Sequence, residues 1–200
     1  GVNLFCPQQP LSGAQRTAAR ELAEAENQPL PDPDYSFGFE EKLDLALRGG
    51  ARVVWSMFGT FTPEQIERIH AAGAEAWTTV TTPTEAIAAA RGGVDVLCVQ
   101  GPAAGGHRGT WDITATPDSR QLEELVSDVH AAVPELPLIA AGGLRTAADV
   151  ANAMSWSGVA ACSCGSAFLL AAEAGTSDYN RQLLRRGGKT VSTRAFSGRF

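Results

Sequence analysis

The feature that most constrains the fold is a regular alternation of short apolar runs with longer helical stretches. The apolar runs are almost continuous in aliphatic residues, alanine and cysteine, which is typical of parallel strands that are covered on both faces. The alternation therefore predicts βαβ units and an α/β fold. The six expected strands are Val2–Cys6, Val53–Phe58, Ala76–Thr81, Val94–Gln100, Leu136–Ala141 and Val159–Cys164.

Helix-start and helix-stop residues agree with this division of the chain. A threonine followed by proline, at Thr62 and Thr82, predicts an N-cap with proline in the first helical position. Gly49, Gly73 and Gly92 are expected to end helices in the left-handed conformation. The proline-rich stretch 28–36 predicts a loop within one domain. The expected helices are Ser12–Glu26, Phe39–Leu47, Pro63–Ala72, Pro83–Arg91, Ser119–Val133 and Ala147–Met154.

A doubly wound open sheet and a (β/α)8 barrel share this rhythm, so the rhythm alone leaves both folds open. The residues that follow the strands favour the barrel. Unusual residues cluster after three of the expected strands, at Gln100 to Trp111, at Gly142 and Gly143, and at Gly165 and Ser166. Functional groups of barrels sit at the carboxyl ends of strands, so we expect a (β/α)8 TIM barrel with its site at these three places.

Charge and cysteine content exclude several classes of protein. The net charge of −6 gives no basic surface for nucleic acid or for an anionic membrane. No apolar stretch is long enough to span a bilayer, and the start of the chain has no signal-peptide pattern. Four cysteines in 200 residues are too few for a disulfide scaffold, so the expected setting is cytoplasmic and reducing.

The glycine-rich segment from Val99 to Asp112 contains the strongest catalytic candidate, His107. Its glycines allow the backbone to approach a flat ligand, and Gln100 offers both a donor and an acceptor at the strand end. Histidine can take and return a proton near neutral pH, which makes His107 a candidate general base. The alternative is a loop histidine that only bonds the backbone. His70 and His130 lie near helix ends, where a surface role is expected.

Glycine turns after the last two expected strands indicate a phosphate site. Loops after consecutive barrel strands often donate backbone N–H groups to a phosphate, and Gly143 and Gly165 leave room for such groups to point inward. The alternative is that they are ordinary turn glycines. Cys162 and Cys164 are two apart on one strand and do not form a metal-binding turn, so no metal is expected. A hydrolytic triad with Asp112 lacks a nucleophile elbow.

Five segments together resemble the nitronate monooxygenase family over nearly the whole chain. One of them is similar to the family's Ala-Gly-Gly-His-Arg-Gly signature, and the others resemble its third barrel strand, its phosphate-binding end and the segment that follows the barrel. The resemblance rests on Val99–Gly109, Gly1–Phe5, Ile139–Gly143, Gly165–Phe168 and Thr193–Gly198.

The resemblance implies an FMN-binding TIM barrel that acts on a small nitronate or nitroalkane with oxygen. His107 would take the α-proton of a nitroalkane or, when protonated, hold an anionic alkyl nitronate, while the flavin carries the redox chemistry. The oligomeric state stays open. The implied cofactor-binding residues are Asn3, Gln100, Gly105, Gly142, Gly143, Gly165 and Ser166.

The resemblance also implies that two barrel strands precede the segment that starts at Gly1. We therefore expect one incomplete barrel domain over residues 1–200, cut at both ends, with six of the eight strands. Two alternatives remain: a flavin-dependent enoyl reductase of fatty-acid synthesis, which has a similar Ala-Gly-Gly-His motif, and an inactive piece without bound flavin. Arg108 and the Arg-Gly-Thr-Trp sequence favour the nitronate family.

Overall fold

A computed structural model describes residues 1–30, 32–195 and 198–199. Two residues of Thr193–Gly198, the segment that resembles the one following the family's barrel, lie outside the described residues: Phe196 and Ser197. All six expected strands are present, with ends within two residues of the expectation. They are β1 (Val2–Phe5), β2 (Val53–Met57), β3 (Glu75–Val80), β4 (Val96–Gln100), β5 (Leu138–Ala141) and β6 (Val159–Ser163).

The strands form one six-stranded sheet in the order β1-β2-β3-β4-β5-β6, and every neighbouring pair is parallel. A doubly wound sheet reverses its strand order at a switch point, whereas a barrel adds each strand beside the previous one. The α/β prediction is confirmed, and the unbroken order is the order of a (β/α)8 barrel. All carboxyl ends therefore lie at one edge of the sheet.

Helices connect the strands, and each of the six expected helices is present. The helices are α1 (Gly13–Ala25), α2 (Phe39–Arg48), α3 (Pro63–Ala71), α4 (Pro83–Gly92), α5 (Leu122–Ala132), α6 (Ala147–Ala153) and α7 (Asp178–Arg186), and a 3-10 turn covers Ser166–Phe168. The sequence did not predict α7. Thr62 and Thr82 cap α3 and α4 as expected, each accepting a hydrogen bond from a backbone N–H three residues later.

The predicted glycine caps are right at one position and wrong at two. Gly73 has a φ of 70°, as expected, but Gly49 has a φ of −75° and Gly92 is the last residue of α4. The following glycines, Gly50 and Gly93, take the left-handed conformation with φ of 75° and 95°. Helices α2 and α4 each end one residue later than expected, at Arg48 and Gly92, and the second glycine of each pair makes the turn because either glycine can do so.

The sheet separates two apolar clusters. The larger one packs alternate strand residues, such as Val54, Leu97 and Leu138, against the helices. The smaller one lies on the opposite, inner face and combines residues of β4 and β5 with two tryptophans; its members are Val96, Cys98, Ile139, Ala141, Trp55, Trp77 and Ala161. The central strands are thus covered on both faces, as their continuous apolar sequence indicated.

Burial falls from the middle of the sheet to its edges. Every residue of β4 and β5 is buried, whereas β6 has no buried residue and β1 has one, Leu4. The terminal helices α1 and α7 also have no buried residue. No helix in the described part of the chain has the length and apolar character needed to cross a bilayer.

Candidate active site

Three segments meet at the carboxyl edge of the sheet: the β4 loop (residues 101–121), the β5 turn (142–146) and the β6 segment (164–177). A Cβ added to Gly105 would lie 2.5 Å from the Ser166 Oγ, so the β4 loop and the β6 segment touch there. A Cβ added to Gly142 would lie 3.0 Å from the Ala104 nitrogen, and one on Gly143 would lie 3.0 Å from the β4 loop. The structure therefore brings these four predicted site residues together.

Gln100 holds the β4 loop from the end of its strand. Its side chain is buried; the Nε2 donates to the carbonyl of His107 at 3.0 Å, and the Oε1 accepts from the Gly109 N–H at 2.7 Å. A carboxamide has a second N–H and a second lone pair. Gln100 thus fixes the backbone on both sides of Arg108 and retains one donor and one acceptor position.

Arg108 points into the protein rather than towards the open end of the sheet. Its guanidinium is buried and donates to the carbonyls of Gln100, at 3.2 Å, and of Gly101. Burial lowers the pKa of Arg108, an effect that the nearby carboxylates of Asp118 and Glu85 oppose. Its role in this geometry is to bind backbone carbonyls and close the β4 loop.

The residues after Arg108 are fixed by β3 and α4. The Glu85 carboxylate accepts hydrogen bonds from the Thr81 N–H at 2.6 Å and the Trp111 N–H at 2.9 Å. The Trp111 indole donates to the Thr79 carbonyl at 3.0 Å. Gly109 has no room for a side chain, because a Cβ there would lie 2.9 Å from the Thr79 methyl group. No local sequence pattern indicated that Glu85 contributes to the site.

His107 is exposed at the open end of this fixed loop. Its ring packs edge-on against Phe58, with ring centroids 6.1 Å apart and an interplanar angle of 74°. Phe58 follows β2 and has a φ of 66°, an uncommon conformation for a residue with a side chain. The sequence interpretation placed Phe58 at the end of a strand and missed its position beside His107; the Gly59 that follows it was the available signal of a turn.

The β6 segment presents an open surface next to the β4 loop. Gly165 and Ser166 are exposed, and a Cβ added to Gly165 would meet no atom within 4 Å. The 3-10 turn begins with a hydrogen bond from the Phe168 N–H to the Gly165 carbonyl at 3.0 Å. The backbone N–H groups of Ser166 and Ala167 precede this bond and are not used within the turn. Such amides can bind an anion. The left-handed φ of Gly142 and Gly143, 117° and 75°, also fits ordinary turns.

Asn3 is not brought together with the other predicted site residues. It lies in β1, exposed, in register with Trp55 of β2, which in turn pairs with Trp77 of β3. It is therefore on the inner face, separated from β4 by two strands. No group of three or more His, Cys, Asp or Glu side chains that could hold a metal occurs in residues 1–30, 32–195 and 198–199.

Comparison with known proteins gives a consistent result. A family model described as "Nitronate monooxygenase" matches residues 1–200. A nitronate monooxygenase of Paraburkholderia phytofirmans is 35% identical over 160 residues, which cover 79% of this chain and 43% of that protein. The chain thus spans about half the length of the curated relatives it matches, with coverage of 46%, 43% and 45% for three of them.

Two solved structures share the fold. A nitroalkane oxidase from Streptomyces ansochromogenes superposes with a TM-score of 0.81 at 34% identity and covers 98% of this chain and 58% of its own. FabK from Thermotoga maritima superposes with a TM-score of 0.61 at 21% identity, over 89% of this chain and 54% of its own. The second likeness, at that identity, shows the fold alone. In both cases the chain matches more than half of a larger structure.

Proposed function

The chain belongs to the nitronate monooxygenase family, and from that premise we propose that it carries the catalytic histidine and the cofactor-binding strand ends of an FMN-dependent enzyme that oxidises alkyl nitronates and nitroalkanes with oxygen. The observation that carries the proposal is the position of His107. It is exposed on a loop that hydrogen bonds to the buried Gln100 side chain fix, and residues 103–105 of the same loop contact the β5 turn and Ser166. A base on a rigid loop next to a cofactor site suits proton abstraction.

The shape of the strand ends fits a flavin phosphate. Gly165 opens a surface that no side chain fills, and the amides that follow it can face a phosphate. We propose that Gly142, Gly143, Gly165 and Ser166 hold the phosphate. Gly105 lies so close to the Ser166 hydroxyl that a side chain would not fit, and its proposed position close to the flavin rests on the family resemblance.

Two further residues would contact the flavin ring system. Gln100 retains one N–H and one lone pair beyond the loop hydrogen bonds, and it stands at the carboxyl end of β4. Asn3 is exposed on the inner face of β1, and its contact with the flavin rests on the family resemblance alone. When bound, FMN would supply the electron transfer and the reaction with oxygen.

His107 would perform the proton transfer. With a neutral nitroalkane, an imidazole nitrogen takes the α-proton, the C–H bond breaks, and its electron pair forms the C=N bond of the nitronate. The imidazole becomes imidazolium and can then hold the anionic nitronate. A nitronate supplied directly needs no proton abstraction, so the two substrates place different demands on His107.

We propose that residues 1–200 form one FMN-binding barrel domain in which these six strands occupy six of eight positions. The support is the unbroken strand order and the exposed edges at β1 and β6. A closed barrel has no such edges, and two more parallel strands would pair with both.

The direct test is FMN binding followed by turnover. The chain is incubated with FMN, free flavin is removed, and the absorption spectrum and oxygen uptake are measured with a neutral nitroalkane and with its nitronate. We expect His107→Asn to keep the flavin spectrum while lowering turnover of the neutral nitroalkane by about 10²- to 10⁴-fold, and that of the nitronate far less. His70→Asn is the matched control, because His70 is exposed on α3 and pairs with Asp95.

Three outcomes would contradict parts of the proposed function. Equal losses on both substrates would remove the base assignment from His107. Rapid reduction of the bound flavin by a nicotinamide cofactor, without nitronate turnover, would favour the enoyl reductase. Absence of bound flavin after incubation would show that residues 1–200 do not form the cofactor site on their own.

A further inference from the structure

The phenylalanine beside His107 adopts an unusual backbone conformation. Phe58 has a φ of 66°, in the left-handed region that residues with a Cβ rarely enter. Such a conformation persists where surrounding contacts determine it, and it occurs often at functional sites. Its effect here is to turn the chain sharply after β2, so that the ring reaches the carboxyl edge of the sheet where His107 lies.

The Phe58 ring is a buried support between two exposed side chains. Only 6% of Phe58 is exposed, whereas Phe5 is 51% exposed and His107 is also exposed. The Phe5 and Phe58 rings meet edge-on with centroids 4.9 Å apart, and His107 meets Phe58 at 6.1 Å. A ligand above this edge would therefore contact His107 and Phe5, while Phe58 stays beneath them.

Arg199 holds the Phe58 ring. Its guanidinium carbon lies 4.1 Å from the centre of the ring, a cation–π contact. The same guanidinium donates to the Thr110 carbonyl at 2.9 Å and to the side-chain oxygen of Gln8. Burial lowers the pKa of Arg199. Arg199 thus joins the segments that follow β1, β2 and β4 around one aromatic ring.

Gln8 completes the connection between the three segments. Its Nε2 donates to the Phe58 carbonyl at 3.2 Å and to the Cys6 carbonyl at 2.9 Å. The backbone at Phe58 is therefore bound through its carbonyl, while its ring is bound through Arg199. These contacts supply the surroundings that an unfavourable φ requires.

We propose that Phe58 and Arg199 are positioning residues for His107, an inference that rests on the proposed function of His107 as the base. Gln100 fixes the carbonyl of His107, and Phe58, braced by Arg199, fixes the edge of its ring. With backbone and ring both held, the imidazole presents a nitrogen in one direction. Proton transfer from carbon depends on that direction, whereas binding of a preformed nitronate depends on it less.

The test combines a spectroscopic and a kinetic measurement on the full chain. Phe58→Leu keeps an apolar side chain with a Cβ but removes the ring, and Arg199→Met removes the charge that braces it. We expect both to shift the imidazole resonances of His107 in NMR spectra, which are assigned by their loss in His107→Asn. Arg199→Lys retains a cation and should restore most of the wild-type shift.

In kinetic measurements we expect Phe58→Leu to slow turnover of the neutral nitroalkane more than turnover of the nitronate. Phe58→Leu should lower kcat for the neutral nitroalkane by about tenfold, a part of the usual contribution of a general base, with KM and nitronate turnover within about twofold of wild type. Phe61→Leu is the matched control. Phe61 is buried and packs against Phe39 in a tilted arrangement, with centroids 6.2 Å apart. The same substitution there should change neither the His107 resonances nor the ratio of turnover on the two substrates.

The results distinguish a failure of the positioning role of Phe58 and Arg199 from a failure of the proposed function. Unchanged His107 resonances in both Phe58→Leu and Arg199→Met would overturn the positioning role, and so would equal loss of turnover on both substrates. Wild-type chain that oxidises neither substrate would count against the proposed function. The resonances need no flavin or turnover, so they would still test the placement of His107 by Phe58.

Discussion

The β4 loop and the β6 segment follow parallel strands of one sheet, yet they are held very differently. Each has an arginine that binds backbone carbonyls. Arg108 is 4% exposed and binds the carbonyls of Gln100 and Gly101 inside the protein. Arg181, from α7, is half-buried and binds carbonyls of the β6 segment, among them Thr176 at 2.9 Å. Hydrogen bonds from an arginine to backbone carbonyls are thus buried in one region and near solvent in the other.

The difference follows from position in the sheet. β4 has a strand on either side, and residues of β2 and β3 surround its loop, whereas β6 is an edge strand. Within the described residues, the β4 loop is therefore held by contacts from neighbouring strands, whereas the β6 segment is exposed along residues 165–170. The proposed base stands on the β4 loop, and two of the proposed phosphate contacts, Gly165 and Ser166, stand on the exposed β6 segment. Four predictions test this contrast.

The largest effect is expected from the two arginines. Arg108→Met removes donors from buried carbonyls that water cannot reach, and we expect it to lower the free energy of unfolding by about 3 kcal/mol. Arg181→Met leaves carbonyls that solvent can satisfy, so we expect about 1 kcal/mol or less. Urea denaturation of both variants measures the difference.

Equal losses of stability in Arg108→Met and Arg181→Met would contradict the contrast between the β4 loop and the β6 segment. Arg108→Lys is the control for charge, because lysine keeps the cation but lacks the second terminal nitrogen, which donates to the Asp118 carbonyl at 3.5 Å, and it should lie between wild type and Arg108→Met. Loss of substrate binding in Arg108→Met without loss of stability would indicate that Arg108 faces the substrate instead.

The next effect concerns one glycine from each region. A Cβ on Gly109 would lie 2.9 Å from the Thr79 methyl group and 3.2 Å from the Met57 sulfur, so Gly109→Ala should cost about 2 kcal/mol of stability. Gly165 has φ of −85° and ψ of −64° with no neighbour within 4 Å, and Gly165→Ala should change stability by less than about 0.5 kcal/mol. Thermal unfolding of the two variants is the measurement. A large loss in Gly165→Ala would show that the β6 segment is packed.

The same contrast explains which parts of the fold the sequence predicted. The central strands and helices α2 to α6 were found because their apolar periodicity records burial. Helix α1 has no buried residue, but its alanine-rich sequence has a high helix propensity. The missed helix, α7, has no buried residue, and its sequence is mostly polar and charged. Helix ends were misplaced by one residue at Gly49 and Gly92, because adjacent glycines carry the same conformational signal.

The sequence indicated which residues could belong to the candidate site, but it did not indicate the contacts between them. The glycines and the histidine were expected at the carboxyl ends of the strands, and the structure places them at that edge of the sheet. The burial of Arg108, and the part of Glu85 in fixing the loop, depend on contacts between distant segments that no local pattern records. Phe58 was assigned to a strand because its left-handed turn needs neighbours that only the folded chain provides.

A third prediction measures whether the exposed region holds the cofactor. Gly165→Asp would place a negative charge beside the proposed phosphate site, and we expect FMN to bind about tenfold more weakly, or about 1.4 kcal/mol, with little change in folding stability. Gly175→Asp adds the same charge to the β6 segment at a residue that also has no neighbour within 4 Å, and it should leave binding unchanged. Fluorescence titration with FMN gives both constants. Equal affinity in the two variants would remove Gly165 from the site.

The smallest effect is expected in the acid stability of two aspartates. A side-chain hydrogen bond from Arg120 lowers the pKa of Asp118 in the β4 loop, and backbone N–H groups of Arg145 and Thr146 lower that of Asp149 in α6. A folded pKa below the ordinary 3.8 means that each carboxylate stabilises the fold above that pH, and that this stabilisation is lost as the pH falls through the folded pKa.

Asp118→Asn should therefore cost about 0.5–1 kcal/mol at pH 7, and the difference from wild type should shrink as the pH falls below 3.8. The Asp118 side chain is only 15% exposed, so added salt should weaken this effect little. Asp149 is at the surface, and Asp149→Asn should show a smaller loss that high salt reduces further. Urea midpoints between pH 7 and pH 2.5, at low and high salt, measure both. If salt weakened the two effects equally, the β4 loop would be no more protected from solvent than the surface of α6, and it would not be the solvent-protected region that the comparison with the β6 segment requires.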